Sequence, residues 1–258
     1  MQMTDRQSQI RDLLADGDFL TVEALAQRLA VAPQTIRRDV KLLCDLGLAR
    51  RRHGGVEPAS PGGNLAYAAR RTLNRNAKLA IASAVAARIP NEASISFGIG
   101  TTPAMVMDAL IQHEHLRVYT NNLSAALSAT ANHNFQVHIA GGQVRNSDQD
   151  VTGQTVEQFF SNYKSDIGIF GVGGVDPDGC LLDFSDEEVR IRESILRNCR
   201  QSFLVLDASK FGRSAHVRGG WISDVDIVFC DRQPPPAIVD ALIAGQRELV
   251  VCTSVSTL

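Results

Sequence analysis

The stretch VAPQTIRRDV, residues 31–40, combines an apolar repeat with two adjacent arginines. Pro33 suits the first position of a helix, where a backbone N–H is not needed. The apolar residues that follow recur at steps of four and three: Ile36, Val40 and Leu43. This spacing predicts a helix from Pro33 to Leu46, ended by Gly47, with one buried face and one polar face.

Two shorter helices are predicted before this one. The first has apolar residues at helical spacing, Ile10, Leu13 and Leu14, with Gly17 as a stop. The second follows the capping candidate Thr21 and carries Val22, Leu25, Ala26 and Leu29. A short turn, AVA at 30–32, joins it to the third helix. The stretch LARRRHGGV at 48–56 predicts a hairpin with a Gly-Gly turn. Three helices and a hairpin form a winged helix-turn-helix.

In a helix-turn-helix the second helix of the motif enters the DNA major groove with its N-terminal residues on base edges. The predicted polar face of the third helix carries donors suited to that role: Gln34, Thr35, Arg37, Arg38 and Lys41. The hairpin adds Arg50, Arg51, Arg52 and His53 as a wing for phosphates or the minor groove. Asp39 is expected to pair with a neighbouring arginine. The alternative is an ordinary solvated charged face.

Composition limits where DNA can bind. The 258 residues are 44% hydrophobic and 21% charged, with a formal net charge of −2, so the chain as a whole has no attraction for nucleic acid. Residues 34–53 instead carry six Lys and Arg against two Asp, a net charge of +4. The positive charge is therefore concentrated where DNA is predicted to bind.

The remaining composition indicates a cytoplasmic protein. Five scattered cysteines form no C-x-x-C pair and have no zinc-like histidine spacing, so they are expected to be reduced, partly buried thiols. The first residues do not have the form of a secretion signal, and no apolar run is long enough to cross a bilayer. Neither a metal nor a cofactor is predicted.

A Pro, Gly, Ser and Ala stretch, PASPGGNLAYA, predicts a linker between two domains. We predict a winged helix-turn-helix domain at residues 1–57, a linker at 58–75 and a second domain at 76–258. The second domain alternates strand and helix patterns, which predicts an α/β fold with a mainly parallel sheet. Its predicted strands cover 93–98, 116–121, 135–140, 166–172, 202–207, 225–230 and 248–252, and its predicted helices cover 77–89, 123–131, 186–199 and segments after Pro103 and after residues 233–236.

Polar and glycine-rich turns follow several of these strands, at the edge where open α/β sheets bind ligands. The first contains Gly98 and Gly100, then Thr101 and Thr102 as caps and Pro103 as the first helical residue, a start that can cradle a phosphate. The other turns supply hydroxyl-bonding amides, glycines that admit a ligand, and a cation: Asn121, Asn122, Gly141, Gly142, Gly173, Gly174 and Lys210. Turns, caps and a surface charge are the alternative interpretation.

The N-terminal residues resemble the signature of DeoR-family transcriptional repressors. The likeness lies in Arg6, Ile10 and Leu14, then in APQTIRRDV at 32–40 and RRHGG at 51–55. In the second domain IGTT, TNNL, AGG, GCLLDF and SKFGR resemble the DeoR sensor domain, whose fold is related to ribose-5-phosphate isomerase. The resemblance implies a repressor that is an oligomer and whose DNA binding is relieved by a phosphorylated effector.

The resemblance also implies which residues surround the effector: Thr101, Thr102, Asn121, Gly141, Gly142, Gly174, Glu188 and Lys210. Glycerol 3-phosphate is the expected effector, with another sugar or polyol phosphate as the alternative. Gly98 occupies a position where the family usually has Asp, so one hydroxyl-binding carboxylate is absent. The rival function is an isomerase-like enzyme, for which Glu188, Asp183 and Asp207 are candidate bases beside Lys210. The chain has no nucleophile motif or complete P-loop, which favours a regulator without catalytic residues.

Overall fold

The computed structural model describes residues 4–14, 19–45, 48–58 and 65–253, and it divides the chain into two compact units, Met1–Leu73 and Asn74–Leu258. The elements of the first unit are α1 (Asp5–Leu14), β1 (Leu20–Thr21), α2 (Val22–Arg28), α3 (Pro33–Asp45), β2 (Ala49–Arg52), β3 (Gly55–Pro58) and α4 (Tyr67–Thr72). The predicted helix stops at Gly17 and Gly47 lie outside the described residues.

The first unit is a winged helix-turn-helix. Its core joins α1, α2 and α3 to the small sheet, and its fully buried side chains include Ile10, Leu25, Ile36, Leu43 and Val56. The sheet has the order β1-β3-β2 and is antiparallel. The Thr21 hydroxyl caps α2 by accepting from the Ala24 N–H at 3.1 Å, as predicted. Strand β1 was not predicted, because two residues are too few to show an alternation.

Helix α4 lies inside the predicted linker. Ala69 is buried in the core of the first unit, and Leu65 and Leu73 pack against that core. These three residues are spaced by four, which is a helical signal that the surrounding Pro, Gly and Ser residues obscure. The part of the linker at 59–64 lies outside the described residues. Residues 65–73 therefore belong to the first unit.

The second unit is an α/β domain. Its helices are α5 (Arg75–Ala86), α6 (Thr101–Ala109), α7 (Leu123–Ala129), α8 (Gln154–Ser161), α9 (Asp186–Arg197) and α10 (Pro236–Ala244). Its strands are β4 (Ser94–Phe97), β5 (Arg117–Thr120), β6 (Gln136–Ile139), β7 (Gln143–Arg145), β8 (Asp150–Thr152), β9 (Ser165–Phe170), β10 (Gly174–Val175), β11 (Cys180–Asp183), β12 (Cys199–Val205), β13 (Val217–Trp221), β14 (Ile227–Cys230) and β15 (Glu248–Val251). Two 3₁₀ turns cover Ala208–Lys210 and Ile222–Asp224.

The main sheet of the described residues has seven strands in the order β15-β14-β12-β9-β4-β5-β6, and every neighbouring pair is parallel. Helices cover both faces. Ile169 and Phe203 pack in a core with α5 and α6, while the next residues along their strands, Phe170 and Leu204, pack in a second core with α8 and α9. Burial on both faces explains the uninterrupted apolar runs that end these two strands, at 167–170 and 203–205.

Two smaller antiparallel sheets were not predicted. Strands β7 and β8 form a hairpin after β6, and β10, β11 and β13 form a separate three-stranded sheet. Their strands are two to five residues long, so the period of two is barely expressed. Both sheets follow strands of the main sheet at its carboxyl edge.

Candidate DNA-binding and effector sites

Helix α3 has the two faces that its sequence predicts. Ile36, Val40 and Leu43 are buried in the core of the first unit. The opposite face is exposed and carries Gln34, Arg37, Arg38 and Lys41, with Thr35 half-buried. A cationic, donor-rich face is thus presented to solvent by a helix whose other face is anchored in the core.

Arg37 is held at the start of this face. Its Nη1 donates to Gln34 Oε1 at 3.2 Å, and its Nη2 lies 3.6 Å from Glu23 Oε1 of α2. All three side chains are on the surface, so the pairing is weak and readily exchanged for a ligand. Gln34 and Arg37 therefore form one donor group at the N-terminal end of α3.

Asp39 pairs with an arginine, as predicted, and that arginine is Arg6 of α1. Asp39 is only 4% exposed, and its carboxylate accepts from Arg6 Nε at 2.6 Å and from Gln7 Nε2 at 2.9 Å, both on α1. A charge-assisted hydrogen bond at a buried position fixes geometry strongly. Asp39 thus locks α1 to α3 and leaves Arg37 and Arg38 on the exposed face.

The wing is the β2–β3 hairpin. Arg50 and Arg52 extend to one side, where their Nε atoms bond Glu57 at 2.6 and 3.1 Å, and Arg51 is exposed. The turn residues are His53 and Gly54, not the predicted Gly54 and Gly55, since Gly55 already pairs with Arg52. A Cβ at position 55 would collide with the Leu20 carbonyl oxygen of β1, which explains the second glycine.

The predicted effector residues follow the carboxyl ends of neighbouring strands. From β4 the chain proceeds to β5 and β6 on one side of the sheet, while β9 and β12 lie on the other side. The loops after β4 and β9 therefore meet at the point where the strand order reverses, the usual ligand position of such sheets. A cavity of about 10 Å³ marks this point, with Gly98, Gly171, Asp183, Glu188 and Arg192 among its lining residues.

Helix α6 begins at Thr101, two residues earlier than predicted, and Gly100 is its N-cap with φ of +118°. Thr101 and Thr102 are thus helical and buried, not caps, and the N-cap offers no side-chain hydrogen bond. The first N–H groups of a helix are unpaired within it and carry partial positive charge. The start of α6 is therefore suited to an anion.

The two asparagines after β5 differ. Asn122 Oδ1 caps α7 by accepting from the Ala125 N–H at 3.2 Å. Asn122 Nδ2 donates to the carbonyls of Gly98 and Gly100 at 3.3 and 3.0 Å, which fixes the β4–α6 loop. Asn121 donates from Nδ2 to the Val151 carbonyl at 2.8 Å. Within the described residues, Asn121 Oδ1 is buried and has no hydrogen-bond partner. Such an atom is costly unless a ligand or water meets it.

Gly141 and Gly142 lead from β6 into the β7–β8 hairpin. The φ of Gly142 is +152°, and a Cβ there would lie 2.9 Å from Val151 Cγ1, so the backbone passes too close for a side chain. Space is open at Gly141, where a Cβ would meet nothing within 4 Å. Of this pair, Gly141 is the position that leaves room for a ligand.

Gly173 and Gly174 lie in tightly packed backbone. The Gly173 N–H donates to Asp183 Oδ1 at 2.8 Å, and a Cβ on Gly174 would collide with the Arg213 carbonyl. Asp183 in turn accepts from Arg192 Nε at 3.0 Å. Burial raises the pKa of Asp183, and the charge of Arg192 opposes that rise. The local packing alone accounts for both glycines.

Glu188 belongs to a charged network that the sequence did not reveal. Its Oε1 accepts from Arg145 Nη1 at 2.8 Å and its Oε2 from the Phe184 N–H at 3.0 Å. Arg145 also donates to both oxygens of Asp150, at 2.9 and 2.6 Å. Burial lowers the pKa of Arg145, but its bonds with the two carboxylates outweigh that effect and raise it. Each Glu188 oxygen thus already accepts from a protein donor, and Glu188 lines the cavity at this edge of the sheet.

Lys210 ends the 3₁₀ turn Ala208–Lys210, which follows β12, the neighbour of β9. Its side chain is half-buried, and its N–H donates to the Asp207 carbonyl at 3.0 Å. The Asp207 carboxylate caps the turn through the Ser209 N–H at 3.1 Å. The topology therefore places Lys210 at the same sheet edge as the start of α6.

Gly98 is packed against neighbours. Its N–H donates to the Ile169 carbonyl at 2.8 Å, and a Cβ there would lie 3.1 Å from Phe170 Cβ and 3.3 Å from Ile195 Cδ1. Those distances are tight, so a larger residue needs small shifts of β9 and α9. The hydroxyl-binding carboxylate expected from the resemblance has no substitute at position 98.

The described residues include potential metal ligands and cysteine thiols. Across the described part of the chain, no group of three or more His, Cys, Asp or Glu side chains is arranged to hold a metal ion. Four cysteines are buried, Cys44 is half-buried, and none forms a disulfide. Burial raises the pKa of the Cys199 and Cys252 thiols to about 11, which makes them unreactive. No helix of the described residues has the length and apolarity to cross a membrane.

Comparison with known proteins covers both units. The DeoR-like helix-turn-helix domain matches residues 6–61 and the DeoR C-terminal sensor domain matches residues 73–232. The glycerol-3-phosphate regulon repressor of Escherichia coli K12 is 38% identical over 252 residues, 98% of this chain and 100% of that protein. The repressor of the same name from Haemophilus influenzae is 41% identical, covering 98% of each chain. A solved ribose 5-phosphate isomerase A of Methanocaldococcus jannaschii is 15% identical with a TM-score of 0.39, covering 54% of this chain and 55% of its own.

Proposed function

The chain belongs to the DeoR family, and from that premise we propose that it is a transcriptional repressor whose operator binding is relieved by a small phosphorylated effector. The relatives named as glycerol-3-phosphate regulon repressors align over nearly the whole chain, which supports a shared mode of action. The observation that carries the proposal is the exposed cationic face of α3 beside a cationic wing, on an otherwise acidic chain.

The DNA-binding residues divide between two roles. Gln34, Thr35, Arg37 and Arg38 approach base edges in the major groove from the N-terminal end of α3. Lys41 and the wing residues contact the phosphate backbone: Arg50, Arg51, Arg52 and His53. Repeated half-sites require at least two copies of the chain, so the protein acts as a dimer or tetramer in the cytoplasm, where the operator is accessible.

The effector site is formed by the strand ends of the second unit. The first turn of α6 and the Lys210 ammonium hold the phosphate, because both supply positive charge. Asn121 Oδ1, buried without a partner among the described residues, accepts from an effector hydroxyl. We propose Gly100, Thr101, Thr102, Asn122 and Gly141 as the remaining surroundings. Contacts within the protein account for Gly142, Gly173 and Gly174, and bonds from Arg145 and Phe184 hold Glu188.

Glycerol 3-phosphate is the effector that the relatives' names favour. It has a phosphate and two hydroxyls, which fits the few hydroxyl-binding groups at this edge of the sheet. Another small sugar or polyol phosphate is the alternative, since the carboxylate that the resemblance implies is absent at Gly98.

We infer that the protein is not an isomerase. A general base must be free to reach the proton that it removes. The three candidate carboxylates are each bonded to protein groups: Glu188 to Arg145, Asp183 to Arg192, and Asp207 to the Ser209 N–H. These bonds favour structural roles over proton transfer.

Isothermal titration of the full chain with glycerol 3-phosphate, ribose 5-phosphate and inorganic phosphate tests the effector assignment. We expect glycerol 3-phosphate to bind most tightly, and Lys210→Ala to weaken it about tenfold or more, the magnitude of one lost charge-assisted bond. Lys164→Ala, an exposed lysine whose Nζ bonds the Arg197 carbonyl, is the matched control. Equal binding of all three ligands, or equal losses in the two variants, contradicts the proposed site.

A further inference from the structure

Asn74 is the first residue of the second unit and has an unusual backbone. Its φ and ψ are 51° and 35°, in the left-handed region that asparagine tolerates better than most residues. It is the N-cap of α5, yet its side chain does not cap that helix. An asparagine at an N-cap normally bonds the following turn, so another partner must determine its position.

That partner is the turn that carries Lys210. Asn74 Nδ2 donates to Asp207 Oδ1 at 2.8 Å and to Ser209 Oγ at 3.1 Å, across 133 and 135 residues of sequence. Asp207 Oδ1 also accepts from the Ser209 hydroxyl and from the Ser209 N–H. Asp207 is only 2% exposed, so the acceptor shared by these bonds is buried, whereas Asn74 and Ser209 are exposed. The start of α5 is therefore fixed to the turn Ala208–Lys210.

The preceding residue is anchored elsewhere. The Leu73 N–H donates to the Ala69 carbonyl of α4 at 3.0 Å, and the Leu73 side chain packs against the core of the first unit. Consecutive residues are thus attached to different units, Leu73 to the DNA-binding unit and Asn74 to the Lys210 turn. The junction between the two units is therefore the single peptide bond from Leu73 to Asn74.

We propose that Asn74 is the positioning residue that couples the effector site to the DNA-binding unit. This inference rests on the proposed function. Phosphate bound at Lys210 adds negative charge beside a turn that Asp207 caps, and the turn shifts to accommodate it. The bonds from Asp207 and Ser209 carry that shift to Asn74, and the chain carries it to Leu73 and α4. Effector and operator then bind with reciprocal coupling.

Two variants remove hydrogen bonds between Asn74 and the turn Ala208–Lys210 and leave the proposed effector-binding and DNA-binding residues unchanged. Asn74→Gly deletes the amide and keeps the left-handed backbone accessible, and Ser209→Ala deletes one partner of the amide. Asn132→Ala is the matched control, because Asn132 Nδ2 likewise makes two bonds within the second unit, to the carbonyls of Ile111 and His113 at 2.9 Å each. A role limited to stability predicts the same behaviour from all three variants.

The experiment measures operator affinity of the full chain with and without saturating glycerol 3-phosphate, on a duplex selected by the wild type from a random pool. Hydrogen exchange of residues 65–80 and 205–213 is followed on adding glycerol 3-phosphate alone. In Asn74→Gly and Ser209→Ala we expect each separate affinity to stay within about twofold, while the effector-induced fold-change in operator affinity drops about fivefold or more. Exchange at 205–213 should still respond, and exchange at 65–80 should not.

The role of Asn74 is overturned if glycerol 3-phosphate changes the operator affinity of Asn74→Gly as much as that of the wild type. It is also overturned if Asn132→Ala loses as much of that change as Asn74→Gly. Either outcome leaves the proposed function intact. Absence of an exchange response at 205–213 in the wild type has a different meaning. It contradicts the effector site itself, and the coupling role is overturned with it.

Discussion

Substitution of Arg38 tests the proposed DNA-binding face at the scale of a single residue. It lies on the solvent face of α3, one position after Arg37 and one before the buried Asp39. Arg38→Ala should weaken operator binding at fixed salt by about tenfold or more, the typical value for losing one base contact. Anisotropy titration measures this change. Arg197→Ala, an exposed arginine of α9 paired with Glu193, is the control and should match the wild type.

Asp166 provides a residue-scale test of stability. Its Oδ2 accepts from the Ser94 N–H at 2.9 Å and the Ser94 hydroxyl at 2.6 Å, and these bonds hold the pKa of Asp166 below its ordinary 3.8. A lowered pKa contributes stability that is present above pH 3.8 and is lost as the pH falls through the folded-state value. Urea unfolding should show Asp166→Asn to be less stable than the wild type at pH 7, with the difference shrinking below pH 3.8. A difference that is constant with pH contradicts this account.

At the scale of elements, the β7–β8 hairpin depends on Arg145. This side chain joins Asp150 of the hairpin to Glu188 of α9, and the two carboxylates are 1% and 5% exposed. Arg145→Met leaves both buried carboxylates without their cation. We expect a loss of up to about 3 kcal/mol in the free energy of unfolding, because removing one partner of a buried pair strands the other. Urea denaturation measures this loss.

The control for Arg145→Met is a surface ion pair with a similar N–O distance. Arg190 Nε lies 3.0 Å from Glu157 Oε1, and Arg190 is more than half exposed. Arg190→Met should therefore cost about 1 kcal/mol or less. Equal losses in the two variants are incompatible with a buried network that anchors the hairpin.

The elements that the sequence predicted are those with a distinct apolar pattern. Ile36, Val40 and Leu43 define α3, and the stretch 225–230, apolar except for Asp226, predicts β14. Helix α4 was missed although Leu65, Ala69 and Leu73 have helical spacing, because glycines and prolines precede it. Length alone does not decide this, because the four-residue strands β4 and β14 were predicted and the eight-residue helix α8 was not. The missed elements lack a distinct local pattern and depend more on tertiary contacts.

At the scale of the whole molecule, the sequence leaves two features undetermined. They are the order of the strands in the sheet and the side-chain pairs whose members lie far apart in the sequence. The glycine and asparagine turns were predicted at strand ends, and the parallel sheet brings those after β4 and β9 to one cavity. The pairings of Arg6 with Asp39, Arg145 with Glu188, and Asn74 with Asp207 span 33, 43 and 133 residues. Residue type alone does not select such partners, so the structure is needed to separate structural carboxylates from ligand-binding groups.

The central claim is that one chain couples a DNA reader to a phosphate-binding site. The most direct measurement is fluorescence anisotropy of the full chain on its selected duplex, at fixed salt, with and without millimolar glycerol 3-phosphate. The account predicts tight binding that glycerol 3-phosphate weakens about fivefold or more. DNA binding that is unchanged by glycerol 3-phosphate, or the absence of sequence-selective DNA binding, would contradict it.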